Sequence, residues 1–509
     1  MASPASARAT FVAEAADADG LRAALGHLVR VGFSEAPVRD RLGLADLKDL
    51  NWRALPIYRL ECLAGRDPQA CAIDLFLLQG SLTATELDSL FAPAIQALLA
   101  RTGVLTPLEA GVVRARASLY PVGQTLVFSD HAWPQLPHPG CRDVPHDQVM
   151  FVGSDSRWLA RATSRHRIEA ALDLCTGSGI HAVLAASHAR RVVAVDINPR
   201  AILCTRFNAL AAGAAHVEVA EGNLFEPVRG QRFDLITANP PFVPSPILAL
   251  GYRDGGPSGD DVQQGLVAQL PAHLAPHGLA QIVTEVGERD DASVAVRVRA
   301  WLGDAPIDLV VLRLHEVSAA SYATGHAQGD DDYGAFLDSV QAWHANLKAQ
   351  GYVRVVSVLL ALRWSDPALG APWTRMESVQ APSSDANDEI EAIFAAERLV
   401  RAPDLFDALE RGQVWRAGPI ALLDACALDG RVPPTTQAKL LGKAMPRQIS
   451  LAPLERDLML ALETPLAVAD LIAQAASQGL TREALLTALQ SLLRQGLVAF
   501  ARVAVDGIR

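Results

Sequence analysis

"LDLCTGSGIHA", residues 172–182, decides the fold: a short apolar run, a turn carrying Gly177 and Gly179, and the opening of a helix. Gly177-Ser178-Gly179 followed by Ala182 meets the G-x-G-x-x-G/A spacing, whose glycines permit a tight strand-to-helix turn and close approach of a ligand. Working outward, short β-branched runs alternate with helical stretches. The predicted strands are "AALDLC" (170–175), "RRVVAVDI" (190–197), "HVEVAEG" (216–222), "FDLITANPP" (233–241), "LAQIVTEVG" (279–287), "DLVVLRLHEV" (308–317) and "VRVVSVLLALRW" (353–364). Seven strands in this rhythm imply a doubly wound α/β sheet, with a helix over 335–351 joining the last two.

At 509 residues the chain is too long for one ordinary domain. A hydrophobic fraction of 50% with 20% charged residues describes a globular protein. The net charge of −11 argues against generic affinity for nucleic acid or anionic membrane. Three regions are predicted: 1–145, mostly helical; 146–370, the α/β core; and 371–509. In the first, 72–105 reads as helix, turn, helix and 112–130 alternates like a hairpin, together resembling a winged helix. The pattern recurs at about 450–505, and "SVQAPSSDANDE" (378–389) reads as a linker or surface loop. The six cysteines are scattered with no C-x-x-C pair, so neither a disulfide framework nor a metal site is indicated. No run approaches the length of a membrane span, and the N-terminus has no signal-peptide pattern. The expectation is a reduced, cytoplasmic protein without metal.

The glycine turn, with Asp196 ending the next strand 19 positions after Gly177, suits two ligand classes. A dinucleotide places its pyrophosphate over the helix N-terminus and its ribose on the acid; S-adenosylmethionine uses the same turn and acid without phosphate. Asp173, inside the first strand, is awkward beside a diphosphate and suits the ammonium of a methionine moiety. Taken alone, the glycines could equally form a plain β-to-α turn, Asp173 could cap the helix and Asp196 could start the turn at Asn198-Pro199. "EGNLFEP" after the third strand and "ANPPF" after the fourth make coincidence harder, because all four features stand at carboxyl ends of successive strands.

Asp173-Leu174-Cys175-Thr176-Gly177-Ser178-Gly179, Asp196-Ile197-Asn198-Pro199 and Asn239-Pro240-Pro241-Phe242 together resemble the class I S-adenosylmethionine-dependent methyltransferases with a Rossmann-like core. The closest likeness is to the branch of release-factor glutamine N5-methyltransferases and ribosomal RNA guanine N2-methyltransferases, over roughly 145–365. The resemblance implies that Asp173, Gly177 and Gly179 hold the methionine portion, with Cys175, Thr176, Ile197 and Asn239 also at the cofactor. It places Asp196 at the ribose hydroxyls, and Asn223 and Leu224 where the adenine is read. Cys175 stands where such motifs usually have glycine, and Asn223 replaces the commoner aspartate.

Pro240-Pro241 freezes the chain in an extended turn, making a rigid shelf with an amide, a free carbonyl and an aromatic ring. An amide or aniline-like nitrogen is a poor nucleophile. If the Asn239 oxygen and the Pro240 carbonyl each accept one N–H of a planar NH2, they fix its plane and favour charge building on nitrogen, while Phe242 stacks on the planar group. "GYRDGGPSGDD" (251–261) follows, so Tyr252, Arg253 and Asp254 are candidates for substrate contact, as are Ser154 and Asp155 ahead of the first strand. Each of these two stretches can equally be an ordinary connection, and His181 reads as a packed helix residue.

The function expected is an N-methyltransferase whose acceptor is a protein glutamine, an RNA base or a small molecule. The competing expectations are a non-catalytic S-adenosylmethionine-binding regulator and an NAD-dependent oxidoreductase. Asn239-Pro240-Pro241-Phe242 opposes both, and Asp173 opposes the second.

Overall fold

The computed structural model describes residues 8–107, 111–131, 145–329, 332–383, 386–425 and 435–502. The chain divides into two compact units, Met1–Trp364 and Ser365–Arg509. All seven predicted core strands form, as β1 (Ile168–Leu174), β2 (Ala189–Asp196), β3 (Val217–Glu221), β4 (Phe233–Ala238), β5 (Leu274–Glu288), β6 (Ile307–Ser318) and β7 (Arg354–Trp364). They lie in one sheet in the order β3-β2-β1-β4-β5-β7-β6. β1 to β5 are parallel, and β7 runs antiparallel between β5 and β6.

Both faces of this sheet are covered, which is why its strands are nearly continuous apolar runs. Side chains alternate: Ala171, Val192, Ala194 and Leu235 go to one face with Ala182 and Ala185. Leu172, Leu174, Val193, Val195 and Ile236 go to the other. The helices that position the site are α1 (Ser154–Ala162), α2 (Ile180–Ala185), α3 (Pro199–Ala211), α4 (Asp261–His273), α5 (Val294–Leu302), α6 (Ala319–His326) and α7 (Tyr333–Ala349). α6 and α7 fill the connection between β6 and β7, where the sequence predicts one helix over 335–351.

The region ahead of α1 shares its core with this fold, so the boundary expected at 145 falls inside the first unit. Phe11 and Phe128 pack on Phe207 of α3, and Phe76 packs on Phe128. Three short strands, Ser81–Thr83, Leu105–Pro107 and Val112–Ala115, pair antiparallel around the helices Ala84–Leu90 and Pro93–Arg101. Only Val112–Ala115 of the stretch expected as a wing joins that sheet. The rest, Ser118–Val122 with Thr125–Ser129, is a separate buried hairpin. It is a joint: Asn208 of α3 accepts the Phe128 N–H at 2.9 Å and returns its own N–H to the Phe128 carbonyl at 2.7 Å.

In the second unit, helices Pro453–Ala461, Val468–Ser477 and Arg482–Arg494 pack with a small sheet in the order Leu466–Ala467, Gly412–Arg416, Val498–Arg502. Its central strand comes from upstream of the helices, so the expected repeat over 450–505 is completed by a strand outside it.

Candidate active site

The parallel register brings the carboxyl ends of β1, β2, β4 and β5 to one side. Asp173 pairs with Ala194 and Thr237, and Ala238 with Ile282. The glycine turn, Asp196, the Asn239 shelf and Glu285 therefore stand at one end of the sheet.

Asp173 is only 1% exposed. Its Oδ2 accepts from Thr176 Oγ1 at 2.6 Å and the Ala182 N–H at 3.2 Å, and its Oδ1 accepts from Thr237 Oγ1 at 2.9 Å. A carboxylate offers about four acceptor positions, so one on Oδ1 remains. Burial pushes its carboxyl up to about 7 against these hydrogen bonds, with Asp196 adding to the rise. Asp196 accepts the Gly177 N–H at 2.8 Å on Oδ2 and the Asn198 N–H at 2.9 Å on Oδ1. Burial raises this carboxyl also.

Between these acids the backbone is left-handed at Cys175 (φ 54°), Gly177 (φ 55°) and Gly179 (φ 79°). Gly177 needs its residue type for this conformation; Gly179 needs it for space too, since a Cβ would lie 2.8 Å from Thr205 Cγ2. Cys175 adopts the same region without that freedom. Its thiol is pushed up by burial and then by Asp196 and Asp173, so it stays protonated. Ile197, 68% exposed at the end of β2, offers an apolar surface beside the acid. Asn223 is exposed and Leu224 half-buried in a left-handed conformation (φ 48°) after β3.

At the shelf the Asn239 Nδ2 donates to Ser156 Oγ at 3.2 Å, while its buried Oδ1 has no hydrogen-bond partner. Pro240 is buried, and among the described residues its carbonyl receives no N–H. Behind the shelf, Arg253 O accepts from the Phe242 and Val243 N–H groups at 3.1 and 2.9 Å, and the Gly255 N–H reaches Val243 O at 2.9 Å. A Cβ on Gly255 would sit 2.8 Å from Pro241 O. The glycine-rich loop is thus laid directly on the shelf backbone, and the Asp260–Arg297 pair and Tyr352 hold its far end.

The substrate candidates separate. Asp254 is buried and turned into its own loop, accepting from Ala249 N and Leu250 N at 2.9 and 2.8 Å and pairing with Arg253. Tyr252 is half-buried, its phenol raised by burial. The Arg253 guanidinium lies over the Trp343 ring at 5.7 Å. Ser154 and Asp155 begin α1, both half-buried. Asp155 is pushed up to about 7 by burial and then by the charge of Glu285. His181 is buried and pushed down to about 3 by burial, so it is packed neutral inside the fold.

Sequence reasoning passes over Ser156, Thr237, Glu285 and Tyr322. Glu285 accepts from Tyr322 Oη at 2.6 Å and Ser357 Oγ at 3.0 Å. A carboxylate inside the apolar run "LAQIVTEVG" is the signal that marks it; Ser156 carries no such mark.

Residues 152–291 match the family model of the methyltransferase small domain. The chain is similar to a release factor glutamine methyltransferase of Geobacter sulfurreducens, 38% identical over 159 residues, covering 28% of this chain and 53% of that one. A ribosomal protein uL3 glutamine methyltransferase of Bradyrhizobium diazoefficiens is 37% identical over 134 residues, covering 24% and 41%. The chain thus spans about half the length of these relatives. Among solved structures, a ribosomal protein L11 methylase of Lactobacillus delbrueckii subsp. bulgaricus aligns with a TM-score of 0.24 and 17% identity over 42% of this chain and 77% of that one. The match over 152–291 is thus to a methyltransferase domain, and the relatives it resembles there are glutamine methyltransferases. Among the described residues no group of side chains could hold a metal ion, and no helix is long and apolar enough to cross a membrane.

Proposed function

We propose that this protein transfers a methyl group from S-adenosylmethionine to a planar NH2 nitrogen, and that the acceptor is a protein glutamine. The observation that carries this reading is the Asn239 side chain: its nitrogen is tied to Ser156, and its oxygen is a buried acceptor without a donor. A buried acceptor costs about 1–3 kcal/mol when unpaired, so this geometry favours a ligand that brings an N–H. The Pro240 carbonyl beside it can take the second N–H. Two acceptors in the plane of an amide select NH2 over OH or SH.

The cofactor's residues fit as well. Asp173 has one acceptor position left for an ammonium, Asp196 has positions left for ribose hydroxyls, and Ile197 offers an apolar surface for a purine. When bound, S-adenosylmethionine supplies a methyl group on a sulfonium. The protein's part is to hold the acceptor nitrogen in line. Positioning of this kind is worth about 7–11 kcal/mol of the barrier. Phe242 is half-buried and packs against the cluster that contains Val243, Tyr322 and Trp343, which suits its ring to be a wall for the acceptor. The relatives' names, both glutamine methyltransferases acting on translation proteins, support glutamine over the other NH2 acceptors.

The test is transfer of tritiated methyl from S-adenosylmethionine into protein, RNA and small-molecule fractions of a lysate and into glutamine-containing peptides. Label entering protein and peptide, and lost with Asn239→Ala, supports the reading. Label in RNA alone would reassign the acceptor, and binding without transfer would favour a regulator.

A further inference from the structure

Methylating an amide nitrogen leaves one proton too many on the product, and the shelf consists only of acceptors already committed to positioning. The search for a group that takes that proton leads to α1. Asp155 directly precedes Ser156, whose hydroxyl receives the Asn239 amide, so the Asp155 carboxyl starts one residue from the shelf's own support. It is half-buried, and among the described residues it has no salt-bridge partner. The arginines of its own helix are used elsewhere. Arg157 reaches Glu35 and the Pro121 carbonyl, and Arg161 reaches Glu35 and Asp46.

α1 lies along β5: Gln281 bonds the Ser164 N–H and the Ala162 carbonyl at one end, and Ser156 meets Asn239 at the other. The first turn of α1, with Asp155, therefore stands toward the carboxyl end of β5, where Glu285 and its Tyr322 partner lie, and the charge of Glu285 acts on the Asp155 carboxyl. Glu285 has both oxygens occupied, by Tyr322 and by Ser357 of β7. Its position is therefore fixed by two neutral donors, and among the described residues no cation pairs with it. The remaining ionisable groups around this wall are His326 of α6, stacked on Tyr322 at 4.0 Å, and Arg253 and Asp254 of the glycine-rich loop, which pair with each other. Two carboxylates thus stand at the end of the sheet that carries the orphaned acceptor, Glu285 held by two neutral donors and Asp155 by its own backbone N–H, next to the aromatic cluster of Tyr322 and Trp343 on which Phe242 packs.

Resting on the N-methyltransferase reading, we propose that Asp155 is the proton acceptor of the reaction and that Glu285, fixed by Tyr322 and Ser357, is the positioning residue that makes it basic enough. In that step the nitrogen lone pair forms the N–CH3 bond, and the S–CH3 bond of the sulfonium donor breaks with its electron pair left on sulfur. One N–H proton passes to the Asp155 carboxylate and from there to water. The half-buried position of Asp155 gives that last transfer its outlet. An ordinary surface aspartate is too weak a base at neutral pH; a neighbouring fixed carboxylate and reduced solvation both raise its proton affinity. The same pair favours an acceptor that presents hydrogens and no negative charge.

The experiment uses the full-length chain with tritiated S-adenosylmethionine, glutamine-containing peptides and lysate protein, and follows the rate against pH for wild type, Asp155→Asn, Glu285→Gln and Asn239→Ala. Cofactor binding is measured in parallel by calorimetry. Asp155→Asn is expected to lose about 10²–10⁴-fold in kcat with cofactor Kd unchanged and the acid limb of the profile gone. Glu285→Gln is expected to lower kcat by less than Asp155→Asn does and to shift the acid limb to lower pH, a movement that a merely structural role would not produce. Carbon-13 NMR of aspartate-labelled protein gives a readout free of acceptor: the signal lost in Asp155→Asn is expected to titrate in the neutral range, and lower in Glu285→Gln. Wild-type activity and pH profile retained by Asp155→Asn, or a midpoint in the ordinary carboxylate range, would overturn this inference alone. No transfer by wild type, or full transfer by Asn239→Ala, would overturn the parent reading and this one with it.

Discussion

Asn208 and Ser178 are joined at 2.8 Å, the α3 amide donating to the carbonyl at the crest of the glycine turn, while the same amide holds Phe128 of the N-terminal hairpin. The residues ahead of the core are thereby coupled to the turn proposed here to hold the cofactor. Asn208 is 1% exposed, so its hydrogen bonds have no water to replace them. Asn208→Ala leaves buried groups unpaired and is expected to destabilise the first unit by about 1–3 kcal/mol and to weaken cofactor binding. Denaturant unfolding and calorimetry check the two effects; unchanged cofactor affinity would show that the hairpin is a support only.

Ser156→Ala removes the partner of Asn239 Nδ2 and frees the amide to rotate. Expected is a fall in kcat of about 10-fold or more with cofactor Kd unchanged, because a loosened positioning group costs rate before it costs binding. Steady-state kinetics with a glutamine peptide decide it, and an equal loss in both parameters would place Ser156 in cofactor binding.

Cys175 holds a left-handed backbone that costs an L-residue about 1–2 kcal/mol, and glycine pays roughly 0.5–1 kcal/mol in unfolded-state freedom. Cys175→Gly is therefore expected to be neutral to slightly stabilising and to tighten cofactor binding by opening space beside Asp196. Because burial and two acids hold the thiol protonated, native Cys175 is expected to resist iodoacetamide at neutral pH. Mass spectrometry after native alkylation reads this directly.

Asp173 contributes one share of the pH dependence of stability, beside Asp155, which burial also raises, and His131 and His181, which burial lowers. The folded Asp173 carboxyl lies near 7, above the ordinary 3.8, so the native state holds the proton more tightly and stability falls as pH rises from about 4 to 7. Asp173→Asn should remove that share of the slope. Pairing with a ligand ammonium favours the carboxylate, so cofactor binding at pH 6 is expected to release protons, measured by calorimetry in buffers of different ionisation enthalpy. Binding without proton release would mean that the ammonium is held elsewhere.

Gly255→Ala puts a methyl 2.8 Å from Pro241 O and 2.7 Å from Gly259 O, both backbone atoms that cannot step aside. The loop must lift from the shelf, and loss of transfer is expected with the fold of the sheet retained. Circular dichroism beside the activity assay separates these.

By itself the sequence determined what is local. Strand periodicity, the glycine turn, the acid ending the next strand and the proline shelf are each written in neighbouring residues, because backbone conformation and side-chain alternation depend on near neighbours. The parallel order then follows from strands separated by helices, which leaves those features on one side. Only the tertiary structure decided how the side chains are spent. Ser156 meets Asn239 across 83 positions, Tyr322 meets Glu285 across 37, and Asp254 turns inward to staple its own loop. The stretch that alternates like a wing is buried instead as a joint, since its apolar residues find Phe207 and Asn208 of α3. Hydrogen bonds and burial over such separations depend on which surfaces the whole chain brings together, and no local pattern encodes them.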